Sequence, residues 1–553
     1  MMKQFAKNKT AFALIGLMIV SLILLLVVIV PYCKDGTLSF AVDYSYHLAR
    51  MENIAAGLKG GQFPVRIHPD ALSGYGYANS LFYPELFLYL PALLVLAGMS
   101  GKAAFLAFLW IIFAFAGTIA FFFAKHLFRG EGLAFAASVL FLSGQYFYMT
   151  AVFRAAIGEL CGMAFAPLII WGLYNYTKEN FSKPHLLLLG VLGVTYSHSL
   201  SLFLDGIFIV IVALVHFKLT FTKRYLIKIG SIVGIWLLAS LALFVPMLEQ
   251  FASDEFFFSH NDIDVLHVEN NTYSLVGMIY AGYVQPYSVG LPALACLVLR
   301  AFIKGTEENR EARKALNRAL VLLLVCIVLP LEYIPWKWLG KTIFGVLQFP
   351  WRVLMLTAAV FPLYIVGCLR EIAKSPVCLS EILQKRWVQT AALTVLCLAF
   401  SAYGMAFMPN KGAHIDEKTF EIGYGEWLPY AEGKTVYDYY RMAGDISLQN
   451  SAGEEISYER KAHTATLAFY ADRDEYTLPL LYYKGYEARG EDGVLLSVSP
   501  SDENKVVVDA ADYTGKVTLS YVGTPLQTAS YLVSSLTVFA SAGALIFQKK
   551  RSS

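Results

Sequence analysis

Long apolar runs alternate with short polar links over most of this chain. The runs lie near residues 11–31, 103–125, 132–150, 156–177, 184–198, 200–218, 226–247, 286–304, 316–334, 351–371, 387–408 and 529–548. A membrane-spanning helix needs about 20 apolar residues, so the pattern predicts twelve spans. The stretch 184–218 must hold two of them, close to the minimum for a helical hairpin. A further apolar piece, 86–98, is shorter and contains Pro91. From 409 to 527 the pattern changes. Alternation with period two over 464–470, 494–498, 505–508 and 516–522 predicts strands. In the last of these Val517, Leu519 and Tyr521 share one face, and Lys516, Thr518 and Ser520 the other. Glu491-Asp492-Gly493 is a hairpin signal. A small β-sandwich is the expectation for this segment.

Basic residues orient the spans. The clusters are Lys3/Lys7/Lys9, Lys125/Arg129, Lys178/Lys183, Lys218/Lys223/Arg224, Lys304 to Arg318, Arg370 to Arg386 and Lys549/Lys550/Arg551. With twelve crossings all of them fall on one side, which the positive-inside rule makes cytoplasmic. If 86–98 also crossed, every later cluster would change sides. That piece is therefore expected to lie along the outer face or dip into it. Both termini are then cytoplasmic. The outer segments are 32–102, 151–156, a tip at His198, 248–285, 335–350 and 409–527. The N-terminal run resembles a signal peptide but is long and lacks a small-residue cleavage site, so it reads as a retained helix.

Composition narrows the class. The chain has 553 residues, 57% hydrophobic and 15% charged, with a mean hydropathy of +0.54. A soluble protein carries about 25% charged residues. The expectation is a multi-pass protein of the cell membrane, with the lipid bilayer as its first partner. A net charge of +3 gives no reason to expect nucleic acid. There is no Gly-rich nucleotide motif, and the inner loops are too short for a nucleotide-binding fold. The seven cysteines include no CxxC, which excludes a disulfide framework and a thiolate zinc site.

Candidate chemistry gathers at the outer face. Asp43, His47 and Arg50 have helical spacing just beyond the first span, and ionisable groups at a bilayer edge are costly. Their plain alternative is a solvated juxtamembrane helix. Arg154 sits in an outer link, with Glu159 one turn into the next helix, where the dipole favours a carboxylate. The alternative there is a simple terminal charge pair. His198 marks a hairpin tip, either a ligand or a hydrogen-bonded interfacial residue. In Gln348-Phe349-Pro350-Trp351-Arg352 the proline suits a helix start and the guanidinium suits a phosphate. An aromatic anchor with a snorkelling arginine is the alternative. The outer loop with Asp254, Glu255, Asp262, Asp264, His267 and Glu269 is acidic, and most of those charges are expected to be solvated. Glu426 and Trp427 precede Pro429 in a segment that reaches back over the membrane or simply turns.

The strings Asp43-Tyr44-Ser45-Tyr46-His47-Leu48-Ala49-Arg50, Gly74-Tyr75-Gly76-Tyr77 and Phe82-Tyr83-Pro84 resemble a family of bacterial multi-pass membrane proteins. That family carries the label "6-pyruvoyl-tetrahydropterin synthase-related, membrane protein". Ser197-His198-Ser199-Leu200, Gln348 to Arg352 and Glu426 to Pro429 fit the same resemblance, which covers roughly 40–525. The pterin label does not transfer, because no trio of zinc histidines has the required spacing. The resemblance also extends to bacterial membrane proteins that glycosylate lipoteichoic acid and wall polymers, and so to GT-C membrane glycosyltransferases. It implies a GT-C-like transmembrane domain over 1–408 with a large first outer loop at 32–102. An extracytoplasmic β domain over 409–527 and a final helix with a basic tail over 528–553 follow.

By this resemblance Asp43 matches the first acid of the class and Glu159 the second. The implied reaction moves a sugar from a polyprenyl-phosphate donor to a cell-envelope glycan, teichoic acid or glycolipid. Asp43 and Glu159 are the expected catalytic residues. His47, Arg154, Gln348, Trp351, Arg352 and Glu426 are expected to bind substrate. Asp43, Glu159 and His198 are the expected ligands if a divalent cation, magnesium or manganese, takes part. The first loop has no adjacent acidic pair, so this chain departs from the metal-binding pattern of the class. Two other classes stay open: a transporter or flippase of lipid-linked saccharides, in which Asp205 would matter, and a non-catalytic partner in envelope assembly.

Overall fold

A computed structural model describes residues 2–29, 43–260, 267–280, 287–374, 385–406, 421–444 and 446–552. Asp262, Asp264 and the start of the first outer loop (32–42) lie outside the described residues. The chain is mostly helical, with one antiparallel β region near its C-terminus. Among the described residues six helices are long and apolar enough to cross a membrane: Asn8–Val27, Gly101–Phe128, Ile157–Lys178, Lys223–Ser253, Pro350–Ala373 and Pro525–Phe547. They answer to six of the twelve apolar runs. The run 132–150 becomes two helices, Glu131–Leu142 and Gln145–Arg154, bent by 48°. The break falls at Gly144, whose ψ of 134° leaves the helical range and where a Cβ would crowd the Phe141 and Leu140 carbonyls at 3.2 and 3.3 Å.

The remaining runs form shorter apolar helices among the described residues. His185–Thr195, Ser199–Val215 and Leu291–Phe302 have this character, whereas the run 387–408 lies in the 21-residue helix Arg386–Ala406. At 1.5 Å per residue the first of them rises only about 16 Å, roughly half the thickness of a hydrocarbon core. The run 316–334 is cut in a similar way. Its helix, Arg310–Val328, spends its first turns on charged residues. Residues 86–98 fold into a short 3-10 turn, Leu86–Leu88, and the eight-residue helix Tyr89–Leu96.

Compactness divides the chain into two units: Met1–Tyr44, Leu106–Ile232 and Asp262–His414 in the first, and Ser45–Phe105, Val233–Asn261 and Ile415–Ser553 in the second. In the first unit Ile157–Lys178 packs tightly against His185–Thr195. A Cβ on Gly172 would stand 2.7 Å from the backbone of Leu187, so only glycine lets these helices approach so closely. Helix Ser199–Val215 uses a second small residue of the same partner. A Cβ on Gly162 would meet Ser201 at 3.2 Å.

In the second unit nine strands form the β region: β1 Leu448–Asn450, β2 Glu455–Ile456, β3 Tyr458–Arg460, β4 Leu467–Asp472, β5 Glu475–Leu481, β6 Tyr486–Gly490, β7 Leu495–Pro500, β8 Lys505–Asp509 and β9 Thr514–Tyr521. Their order is β2-β1-β5-β8-β7-β6-β9-β4-β3, with every pairing antiparallel. The expected sandwich of two separate sheets is thus one continuous, nearly closed sheet, because the largely exposed strand β7 pairs with β8 on one side and β6 on the other. The hairpin at Glu491–Gly493 joins β6 to β7. In β9 Val517 and Leu519 are buried while Lys516 and Thr518 are exposed, as the alternation requires. This β region does not close its core alone. Tyr75, Tyr77 and Phe82 from the first-loop segment join Leu478, Leu481, Val508 and Leu519 in one cluster. The amide of Leu481 donates to the Tyr75 carbonyl at 2.9 Å.

Candidate functional site

Four charged residues from three distant segments meet in the first unit, each at the end of a helix. Asp43 is in the turn before helix Tyr44–Lys59, and Arg154 closes Gln145–Arg154. Glu159 is in the first turn of Ile157–Lys178, and Arg352 lies in the 3-10 turn Pro350–Leu354 that opens the next long helix. Arg154 joins the two acids. Its Nε lies 2.9 Å from Asp43 Oδ2 and its Nη1 3.4 Å from Glu159 Oε2. The Asp43 amide also donates to the Arg154 carbonyl at 3.1 Å. Arg352 approaches Glu159 Oε2 from the other side, Nε to oxygen 3.7 Å.

Backbone geometry brings the two arginines in. Residues Thr150–Arg154 form a π-helical turn, and Ala155 follows in the left-handed region at φ 55°. Such turns interrupt a helix where a side chain must be re-aimed. Here the reversal lets Arg154 face the residue five positions on. Gln348 is also at positive φ (60°), which costs of order 1–3 kcal/mol for a residue with a Cβ. Its side-chain oxygen accepts from Arg352 Nη1 at 3.0 Å, and the Leu347 carbonyl accepts from the same nitrogen at 2.7 Å. An arginine at a helix N-terminus opposes the dipole; Glu159 and these two oxygens offset that.

Aromatic rings wall the cluster. Trp351 stacks between Tyr287, at 4.1 Å, and Phe349, at 4.8 Å. The Arg154 guanidinium lies 5.1 Å from the Phe349 ring centre and 5.4 Å from that of Trp351, and Arg352 lies 4.8 Å from Phe349. These are cation–π distances. The Tyr146 hydroxyl donates to Glu159 Oε1. Arg352 and Glu159 side chains are 4% and 2% exposed, whereas Asp43 keeps 22%. Arg352 is therefore buried in the cluster and does not snorkel. Asp43 is the most exposed of the four.

A divalent cation does not suit this donor set. Each carboxylate already faces a guanidinium, and Glu159 also receives the Tyr146 hydroxyl. Among the described residues no three His, Cys, Asp or Glu side chains group as metal ligands. His198 has another task. Its Nδ1 accepts from the Ser201 amide at 3.1 Å and caps helix Ser199–Val215, which leans on Gly162 one turn beyond Glu159. Asp205, further along that helix, is 2% exposed and does not reach the surface.

His47 and Glu426 belong to the second unit. There a separate polar centre forms around Glu85. Arg50 Nε donates to Glu85 Oε1 at 2.7 Å and Asn79 Nδ2 at 2.6 Å, while His68 Nε2 lies 3.1 Å from Oε2 and Ser80 donates to it. Arg50 also meets His47 Nδ1 at 3.0 Å, the Pro84 carbonyl at 2.9 Å and the Tyr83 ring at 4.4 Å. Burial opposes the Glu85 charge, yet His68 and Arg50 hold its carboxyl well below the usual carboxylate range. Glu426 lies in the turn whose carbonyl accepts from the Phe258 amide at 2.8 Å, and it couples electrostatically to Tyr46 and Tyr77. Trp427 stacks on Phe82 at 5.1 Å. Glu255 of the acidic loop is largely exposed beside His260.

Sequence reasoning missed Tyr146, Tyr287 and Phe349 in the first centre, and Glu85, His68 and Asn79 in the second. Tyrosine inside an apolar run carries no mark that separates a site residue from a belt residue. Glu85 had a faint signal, as an acid after Tyr83-Pro84 in an otherwise apolar stretch.

Fold and site together define a helical protein with membrane-type apolar helices, an antiparallel β domain and a buried acid–arginine cluster at the helix ends. No protein-family model matches the chain. It is similar to a protein of Lactococcus lactis subsp. cremoris (strain MG1363) described as an uncharacterized protein, 24% identical over 311 residues. The match covers 53% of this chain and 50% of that relative, so the chain spans about half the length of the relative it matches.

Proposed function

We propose that this chain is an integral membrane glycosyltransferase of the GT-C type, moving a sugar from a polyprenyl-phosphate carrier to a cell-envelope hydroxyl. In this reading the chain crosses the membrane twelve times, both termini are cytoplasmic, and the cluster and the β domain face outward. The observation that carries the reading is that Asp43 and Glu159, from separate segments, bind one guanidinium while a second guanidinium flanks Glu159. Paired arginines are the side chains that clamp a phosphate.

The four charges sum to zero, which suggests how the site works. A carrier phosphate entering beside Arg154 and Arg352 competes with the carboxylates for their N–H groups. Asp43 is the more exposed acid and bonds Arg154 only at its rim, so it is the one displaced. Freed, it accepts the proton of the acceptor hydroxyl as that oxygen attacks the anomeric carbon and the carrier phosphate leaves. Glu159 stays between the arginines and fixes their spacing. Trp351 and Phe349 shield the ion pairs from water, which strengthens them.

The test is deletion of the gene in its host and composition analysis of the envelope polymers. A missing sugar supports the reading, and an unchanged composition opposes it. The flippase reading keeps one observation in its favour: Asp205 is buried in an apolar helix, where acids mark transport routes. Lipid scrambling by the purified protein without sugar transfer would select it.

A further inference from the structure

Beside the break between Glu131–Leu142 and Gln145–Arg154 the first unit has a partly open cavity of about 30 Å³. Its wall is mainly apolar; of the polar side chains that line it, Thr357 bonds the Leu354 carbonyl and Tyr146 bonds Glu159, which leaves Gln145, 5% exposed, and Ser288, 1% exposed. Neither atom of the Gln145 amide, nor the Ser288 hydroxyl, has a hydrogen-bond partner among the described residues. Pro362 lies within helix Met355–Ala373 and has no N–H, so the Ala358 carbonyl loses its donor one turn on. Both residues line the same cavity.

Buried polar groups in native proteins find partners, in protein or in ordered water. A water needs about 10–15 Å³ of such space and two to four polar partners. This cavity meets both conditions for about two waters. We infer that it is a structural water site, in which bound water bridges Gln145 and Ser288 and holds the helix break in shape.

The site has a consequence for the charged cluster. Tyr146, next to Gln145, lines the cavity with its ring and sends its hydroxyl to Glu159. Water on Gln145 thus fixes the turn that presents Tyr146, which makes Gln145 a positioning residue. This link to catalysis rests on the transferase reading; the water site itself does not.

X-ray radiolytic footprinting of the full-length protein in lipid nanodiscs tests the site, because radicals formed from bound water oxidise the side chains that touch it. Phe361 and Tyr146 should label severalfold faster, relative to intrinsic reactivity, than the comparably buried Phe108 and Phe113. The excess should vanish in Gln145→Leu/Ser288→Ala. Equal labelling of the four rings in the wild type overturns the proposal, and that comparison stands even if the double variant does not fold. A Tm raised by Gln145→Leu alone also overturns it, since a dry cavity gains from losing an unpaired amide. Neither measurement needs a sugar donor, so failure here is separate from failure of the transferase reading.

Discussion

Glu85→Gln is the sharpest perturbation of the second unit. The carboxylate is 4% exposed and Arg50 1% exposed, with Nε and Oε1 at 2.7 Å. The substitution keeps the shape and one acceptor oxygen but removes the charge, so the buried guanidinium loses its counter-ion while the Pro84 carbonyl, His47 and two aromatic faces stay around it. Breaking a buried ion pair by removing one partner costs about 3–5 kcal/mol. For a unit of some two hundred residues each kcal/mol is worth roughly 2–4 °C, so Tm should fall by roughly 10 °C. The assay is thermal unfolding followed by proteolysis of the β region. A cycle with Arg50→Met should give a coupling of about 1–3 kcal/mol. The pH dependence has a definite sign. Because the folded Glu85 carboxyl is depressed, its stabilisation is complete above the ordinary glutamate value of about 4.3 and is lost as pH falls toward the folded value. The gap between wild type and Glu85→Gln should therefore be level above about pH 5 and shrink below it. A loss under about 1 kcal/mol, or a gap that widens in acid, would refute the reasoning.

Three further outcomes follow from the first unit. Arg352→Lys should raise KM for a lipid-phosphate donor roughly tenfold with a smaller effect on kcat, because an ammonium cannot replace a planar fork; steady-state kinetics in nanodiscs decide it. Transfer should survive EDTA, since guanidiniums hold the place of a cation in this arrangement, and loss of activity restored by magnesium would count against it. Gly162→Val should lower Tm through about 1–3 kcal/mol of overpacking against Ser201, whereas an unchanged Tm would mean that the two helices are free to part.

How much of this was legible in the sequence depended on length and distance. Of the twelve runs read as spans, six are found as membrane-length helices among the described residues. The run 132–150 was not readable as two pieces, because Gly144 is an ordinary residue of apolar helices until its backbone turns extended. The strands were marked by alternation, but pairing was not: that β7 joins both halves of one sheet depends on register, which a single strand does not encode. In the candidate site, charge inside apolar surroundings picked out Asp43, Arg154, Glu159 and Arg352, and those four meet. Helical spacing suggested that Asp43 and His47 act as one face. The helix begins only at Tyr44, Asp43 pairs with Arg154, and His47 turns to Arg50. Glu85 was hard to see because Arg50 is 35 residues away and only the folded loop brings them together.

The central claim is that Asp43 is the base of a phosphate-gated cluster. Single-turnover transfer by Asp43→Asn, measured beside donor binding in the same nanodiscs, tests it most directly. The account predicts transfer reduced by about 100-fold or more, with donor still bound through Arg154 and Arg352. Full transfer by Asp43→Asn would contradict it.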